Sequence, residues 1–149
     1  MTYALVPDQI TRVAAPDLTR DLDLLDDEVV RLLDFTRDIK QTPGRYAQAL
    51  SGKSIAVLFE KPSLRTRLTF ELAIQQMGGS VVCGEGPIGA REQLTDVARN
   101  LDRWVTATAA RTFPQDTNAE LARWSSVPVV TPLTHRTHPA PALPAPPAR

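Results

Sequence analysis

Residues 54–60 read SIAVLFE, and residues 61–67, KPSLRTR, follow this apolar run directly. A short apolar run with β-branched members and turn-forming residues on both sides is typical of a strand buried on both faces. Over residues 64–77 the apolar positions then recur at helical spacing, and Gly78-Gly79 marks the end of the helix. This stretch therefore predicts one strand–helix unit of a parallel sheet.

The segments on either side continue the alternation of helix and strand patterns. Before the central unit, a helical pattern opens at Asp26 and ends at the turn of residues 42–44. After it, the patterns predict a strand at residues 80–83, a helix at 94–105, a strand at 107–111, a helix at 117–125 and a strand at 127–130. Asn118 is a candidate cap of the last helix. This alternation predicts the α/β fold class, a parallel β-sheet flanked by helices and joined by right-handed crossovers.

Composition excludes several classes of protein. The chain has 149 residues, 42% of them hydrophobic, and 17 basic residues balance 17 acidic ones. This length predicts one domain, and the zero net charge argues against a nucleic-acid partner. The longest apolar run, at residues 55–59, is too short to cross a membrane. Cys83 is the single cysteine and has no histidine at ligand spacing, so we expect neither a disulfide nor a metal site, and a cytoplasmic location fits.

The last residues of the chain differ from the rest in composition. Five of the 13 prolines lie at residues 139–149, where only Ala, Leu and Arg accompany them. Proline at this density is incompatible with a helix or an inner strand. We therefore expect the folded domain to span residues 1–138, and residues 139–149 to form a disordered, Pro/Ala-rich tail.

The loop at residues 61–67 is the first candidate site, because parallel sheets bind ligands beyond the carboxyl ends of their strands. It leads into a helix N-terminus and combines backbone N–H groups, hydroxyls and guanidinium groups. Ser63 is placed to cap the helix, and Arg65 offers a planar fork of donors to phosphate oxygens. The residue types alone leave two alternatives open: a phosphate site, or a capped first turn in which Arg65 and Arg67 are solvated or paired with nearby glutamates.

The sequence SLRTR at residues 63–67 resembles the Ser-x-Arg-Thr-Arg signature of the carbamoyltransferases, which include ornithine and aspartate carbamoyltransferases. The resemblance covers roughly residues 17–139. It implies the carbamoyl phosphate domain of the carbamoyltransferase fold, with the second, acceptor-binding domain absent from this sequence. In that family the motif binds the phosphate of carbamoyl phosphate.

Within the loop, the resemblance assigns a role to each residue. It implies that Ser63, Arg65 and Thr66 hold phosphate oxygens, and that Arg67 supports the loop or reaches the ligand. Leu64 stands where the family usually has threonine, so its contribution would be its backbone N–H. Arg65 is also implied to be catalytic, because a donor to the leaving phosphate stabilises the transition state.

Three residues outside the loop also match family positions. Arg111 matches the arginine that contacts both the phosphate and the carbonyl oxygen of the ligand, and His138 matches the histidine that donates to that carbonyl. Both are implied to be catalytic, although Pro141 replaces the glutamine of the family's His-Pro-x-Gln motif. Arg91 matches a basic residue that contacts phosphate across a subunit interface. Without the resemblance, Arg111 would be interpreted as a surface charge that ends a strand, and Arg91 as part of a charged first helical turn.

The implied reaction transfers the carbamoyl group of carbamoyl phosphate to an amine. Residues 59–61, residues 89–92 and Leu133 resemble the ornithine branch more than the aspartate branch, so the expected acceptor is L-ornithine and the products are citrulline and phosphate. The resemblance implies a homotrimer that serves arginine biosynthesis. No residue spacing in the chain suggests a metal or an organic cofactor. Neither a nucleic acid nor a membrane is expected as a partner.

The acceptor-binding domain lies outside the resemblance. We therefore expect ornithine to bind only if a second domain is supplied, and we expect this chain alone to have little or no turnover. Two alternatives stay open: an aspartate carbamoyltransferase-like domain, and a non-catalytic half-enzyme that binds carbamoyl phosphate or another phosphate ligand.

Overall fold

A computed structural model describes residues 13–60, 63–112 and 115–132 of the chain. Four strands form one parallel sheet in the order β2-β1-β3-β4. Their bounds are β1 Ser54–Phe59, β2 Ser80–Glu85, β3 Ala107–Arg111 and β4 Val129–Val130. The predicted α/β class, with a parallel sheet flanked by helices, is confirmed.

Helices connect the strands as the sequence pattern predicts, with small differences in length. They are α1 Asp26–Gln41, α2 Pro43–Tyr46, α3 Leu64–Gln76, α4 Leu94–Trp104 and α5 Gln115–Trp124. The four-residue α2 was not predicted, because it lies inside the Pro-Gly turn that ends α1. Asn118 lies within α5 instead of capping it, since that helix begins at Gln115. In the described part of the chain no helix is long and apolar enough to cross a membrane.

The sheet has a core on each face, because successive side chains of a strand point to opposite sides. On one face Val57 and Phe59 of β1 pack with Ile74 of α3. On the other face Ala56 packs with helices α4 and α5, which contribute fully buried Leu121 among others. Strand β1 is therefore covered on both faces, as its unbroken apolar run predicts.

The N-terminal segment lies along β4, the outer strand opposite β2. The N–H of Leu18 donates to the carbonyl of Val129 at 2.9 Å, and the N–H of Thr131 donates to the carbonyl of Leu18 at 2.8 Å. Asp17 accepts a further bond from the Val129 N–H at 2.7 Å. These bonds satisfy an edge that would otherwise present unpaired backbone groups.

Asp102 of α4 fastens the turn between α5 and β4. Its carboxylate accepts bonds from the Ser125 hydroxyl at 2.7 Å and from the N–H groups of Ser126 at 2.9 Å and Val127 at 3.3 Å. Burial alone would raise the pKa of Asp102, but these hydrogen bonds outweigh it and hold the pKa below its usual value of 3.8. The ionised carboxylate of Asp102 is therefore more stable in the folded chain than in the unfolded chain.

This shift predicts a pH-dependent contribution of Asp102 to stability. Because the pKa of Asp102 is lower in the folded chain than in the unfolded chain, its ionised carboxylate stabilises the fold at pH values above the unfolded-state pKa of 3.8. This contribution is lost as the pH falls through the folded-state pKa. We expect Asp102→Asn to lower the free energy of unfolding by about 1 kcal/mol at pH 7 and to flatten its fall toward pH 3.5. Urea unfolding at several pH values measures both effects. A variant curve parallel to that of the parent chain would contradict the prediction.

Candidate functional site

The connections of the sheet create a topological switch point at its carboxyl edge. After β1 the chain passes through α3 to β2 on one side, whereas after β3 it passes through α5 to β4 on the other side. Because β1 and β3 are neighbours while α3 and α5 pack on opposite faces of the sheet, this edge is the place where open α/β sheets bind ligands. Arg111 at the end of β3 is paired with Phe59 at the end of β1, and the N–H of Glu60 donates to the Arg111 carbonyl at 3.0 Å.

Helix α3 follows β1 and begins at Leu64, with its N-terminus at this edge of the sheet. Ser63 has non-helical backbone angles, φ −147° and ψ 83°, and its carbonyl accepts from the N–H of Arg67 at 3.0 Å. Helix geometry leaves the N–H groups of the first turn without intrahelical acceptors. These N–H groups and the positive end of the helix dipole favour an anion here.

The expected capping role of Ser63 is wrong. Its side chain makes no capping hydrogen bond to α3. Its ψ of 83° departs from the extended conformation in which a serine hydroxyl reaches the second or third helical N–H. The hydroxyl is therefore not used to satisfy the helix that it precedes.

Arg65 and Arg67 have different environments although they are two residues apart. Arg65 is exposed, and so is the neighbouring Leu64 with 74% of its surface accessible. Arg67 forms an ion pair with Glu71 one turn later, with 2.6 Å between Nε and Oε1. The pairing with a nearby glutamate that the sequence left open is thus realised at Arg67. Arg65 instead has an exposed side chain in the first turn of α3.

The Arg67–Glu71 pair extends to Cys83 on β2. The thiol of Cys83 donates to the same Glu71 oxygen at 3.1 Å. The hydrogen bond from Arg67 lowers the pKa of Glu71, and the one from Cys83 lowers it further. Burial and the neighbouring Glu71 carboxylate raise the pKa of the Cys83 thiol. These contacts tie the first two turns of α3 to β2 and favour a supporting role for Arg67.

Arg111 is half-buried, and a buried amide lies beside its backbone. The Nδ2 group of Asn118 donates to the carbonyl of Ala110 at 3.3 Å, and the hydroxyl of Thr112 donates to Asn118 Oδ1 at 2.8 Å. Sequence reasoning missed this contact because it assigned Asn118 to a cap. The available signal was its spacing from Leu121 and Ala122, which places a polar residue on the apolar face of α5.

A second missed residue is Glu60, which holds the loop between β2 and α4. Its Oε1 accepts from the N–H of Ile88 at 3.2 Å. Gly86 and Gly89, with φ of 100° and 82°, allow this loop to turn back toward β1. A carboxylate at the end of a strand pattern gives no sequence signal for such a distant partner. The bond connects the loop that carries Arg91 to the end of the strand that precedes α3.

Arg91 is exposed and lines a depression of about 590 Å³ together with Trp104 and Glu92. The residues that line this depression in the described part of the chain include neither Arg65 nor Arg111. The structure therefore brings Ser63–Arg67 and Arg111 to one edge and places Arg91 at a separate depression.

Other sequence predictions fall outside the described residues. They concern His138, the domain end at residue 138 and the tail at residues 139–149. Among the described residues, no group of three or more histidine, cysteine, aspartate or glutamate side chains is arranged to hold a metal ion.

The fold defines a class, the open parallel α/β domains, and members of this class bind ligands at the switch point of the sheet. A family model described as aspartate/ornithine carbamoyltransferase, carbamoyl-P binding domain, matches residues 17–144. The chain therefore belongs to the aspartate/ornithine carbamoyltransferase family, and the matched part is its carbamoyl-P binding domain.

Individual relatives agree with this assignment. The chain is 43% identical over 124 residues to the ornithine carbamoyltransferase of Vibrio sp. (strain 2693), covering 81% of this chain and 41% of that protein. Its structure matches the Thermus thermophilus ornithine carbamoyltransferase with a TM-score of 0.81 and 43% identity, covering 88% of this chain and 46% of the other. It also matches the catalytic subunit of M. jannaschii aspartate transcarbamoylase, with a TM-score of 0.77 and 27% identity, over 86% and 44% of the two chains. The chain thus spans less than half the length of these relatives.

Proposed function

We propose that this chain binds carbamoyl phosphate at the carboxyl ends of β1 and β3. The observation that carries the proposal is the register of these strands, in which Phe59 is paired with Arg111. Neighbouring strands lie only about 5 Å apart, so one ligand at this edge would be within reach of both the helix N-terminus after β1 and the arginine at the end of β3. The phosphate would accept from the first-turn N–H groups, from Ser63 and Thr66 and from the fork of Arg65.

The residues suit carbamoyl transfer by orientation and charge stabilisation. An amine attacks the carbonyl carbon, the bond from that carbon to the phosphate oxygen breaks, and the amine nitrogen loses a proton. Arg65 would stabilise the charge on the departing phosphate, and Arg111 would also reach the carbonyl oxygen. His138, in the family's His-Pro motif, would donate to the same oxygen as negative charge develops there. None of these roles requires a covalent intermediate with the protein.

The acceptor that we propose for the whole enzyme is L-ornithine. The ornithine carbamoyltransferase relatives cited above support it, with 43% identity to the Vibrio protein. The likeness to an aspartate transcarbamoylase catalytic subunit supports aspartate as a second candidate, at 27% identity. Because the matched region is the carbamoyl phosphate side of the family, we propose that this chain alone has little or no turnover. We further propose a homotrimer in which Arg91 reaches the phosphate bound by a neighbouring subunit.

Calorimetric titration of the purified chain with carbamoyl phosphate tests the binding proposal. We expect saturable binding with one site per chain and weaker binding of inorganic phosphate, which lacks the carbonyl that Arg111 would contact. Sulfate at equal ionic strength controls for general anion binding. Carbamoyl phosphate binding that does not saturate, or that matches sulfate, would contradict the proposal.

An activity assay on the same material separates the candidate acceptors. The chain is incubated with carbamoyl phosphate and either L-ornithine or L-aspartate, and citrulline and carbamoyl-aspartate are measured. We expect neither product above the level given by Arg65→Ala, which controls for contaminating host enzyme. Citrulline formation that depends on Arg65 would overturn the proposed inactivity, and carbamoyl-aspartate would favour the second candidate.

A further inference from the structure

The buried side-chain amide of Asn118 forms hydrogen bonds with the residues on both sides of Arg111. Asn118 of α5 is fully buried, with 0% of its surface exposed, and so is Thr112. The amide donates to the carbonyl of Ala110 at 3.3 Å and accepts from the hydroxyl of Thr112 at 2.8 Å. One side chain therefore contacts the residues immediately before and after Arg111.

The backbone of Arg111 is also hydrogen-bonded on its other side, by the residue that follows β1. Its own carbonyl accepts from the N–H of Glu60 at 3.0 Å, just beyond the end of β1. Three consecutive residues, 110–112, are thus fixed by β1 on one side and by α5 on the other. This leaves little freedom in the direction from which the Arg111 side chain leaves the sheet.

Burial of the Asn118 amide has a larger desolvation free energy than burial of an apolar side chain would have at this position. Asn118 lies on the same face of α5 as buried Leu121, and Leu121 packs in an apolar cluster with Ala110. Burying an amide requires hydrogen bonds that only return its desolvation cost, whereas a leucine would require none. Packing alone therefore does not account for an asparagine here, but the geometry that its two bonds impose on residues 110–112 does.

We propose that Asn118 is a positioning residue that sets the direction of Arg111 toward the anion site at the N-terminus of α3. The inference rests on the proposed binding of carbamoyl phosphate. Asn118 itself does not contact the ligand. It affects affinity through Arg111, because a small displacement of the Arg111 side chain weakens the interaction of that side chain with the ligand.

The test is a double-mutant cycle on carbamoyl phosphate affinity, measured by calorimetry on the chain. Asn118→Leu keeps the approximate shape of the side chain and removes both hydrogen bonds. We expect a loss of affinity of about tenfold in the parent background and almost none in the Arg111→Ala background. A loss of the same size in both backgrounds would overturn the positioning role, as would no loss in the parent. A parent chain that does not bind carbamoyl phosphate at all would contradict this inference and the proposed function together.

Threonine variants keep the test valid if Asn118→Leu fails to fold. Thr112→Val removes the donor to Asn118 and is expected to lower the affinity for carbamoyl phosphate. Thr112→Ser keeps the hydroxyl and is expected to have the affinity of the parent chain. Thr108→Val is a matched control on β3, because the buried Thr108 hydroxyl has no hydrogen-bond partner among the described residues. Equal affinity losses for Thr108→Val and Thr112→Val would show a general effect of altering β3 and would overturn the proposal.

Discussion

Carbamoyl phosphate binding is expected to weaken by at least about 100-fold when Arg65 is replaced by alanine. Two charge-assisted hydrogen bonds from one guanidinium to a phosphate contribute about 3 kcal/mol, and each 1.4 kcal/mol corresponds to a factor of ten. The structure supports this assignment because Arg65 is exposed at the N-terminus of α3, whereas Arg67 is paired with Glu71 at 2.6 Å. Calorimetric titration of the parent and variant chains measures the ratio of affinities.

Two further variants distinguish a specific contact from general charge. Arg65→Lys keeps the charge but loses the planar fork, so we expect an intermediate affinity. Arg37→Ala removes the same charge from an exposed pair with Asp34 on α1 and is expected to leave affinity unchanged. If Arg37→Ala weakens binding as much as Arg65→Ala does, the phosphate is attracted only by net charge. Unfolding midpoints of all three variants are expected to stay close to that of the parent.

The largest effect on stability is expected from Leu121→Ala. Leu121 is fully buried between α5 and the sheet, in the cluster that includes Ala56, Ala98 and Val129. Truncation removes apolar contacts and leaves a cavity, which costs about 2–5 kcal/mol in buried leucine positions. For a domain of this size such a loss is a large part of the total stability. Urea unfolding measures it as a lower midpoint with an unchanged slope.

The matched control is the same substitution at an exposed position. Leu22→Ala changes a side chain that is 90% exposed, so we expect a change within about 0.5 kcal/mol. Leu121→Val serves if the alanine variant is unfolded at zero denaturant. Equal losses at Leu22 and Leu121 would mean that α5 does not pack on the sheet as described.

Local patterns in the sequence were sufficient to predict most of the secondary structure. The unbroken apolar run at residues 54–60 predicts a strand covered on both faces, and β1 packs against α3 on one face and against α4 and α5 on the other. The predicted strand at residues 107–111 coincides with β3. Strand β4, predicted at residues 127–130, is shorter because only Val129 and Val130 pair with β3.

Predictions that required a distant partner were less successful. The sequence assigned Asn118 to a helix cap, because asparagine is common at that position in helices, yet its partners are Ala110 and Thr112. The sequence pattern did not distinguish between a ligand contact and an ion pair for Arg67, and only the structure shows the ion pair with Glu71. The bond between Glu60 and the N–H of Ile88 joins residues 28 positions apart and has no local pattern.

The sequence by itself determined the α/β class, the order of the elements and the location of a candidate anion-binding loop after β1. These properties depend on spacing and residue type within a few turns of chain, since burial requires apolar side chains at the period of the helix or strand. The tertiary structure alone decided that β1 and β3 are neighbours, so that Arg111 is paired with Phe59 at the end of the strand that precedes Ser63–Arg67. It also decided which polar groups are satisfied by which partners. Strand order and buried hydrogen bonds depend on contacts between residues far apart in the chain, and such contacts are selected by packing of the whole domain.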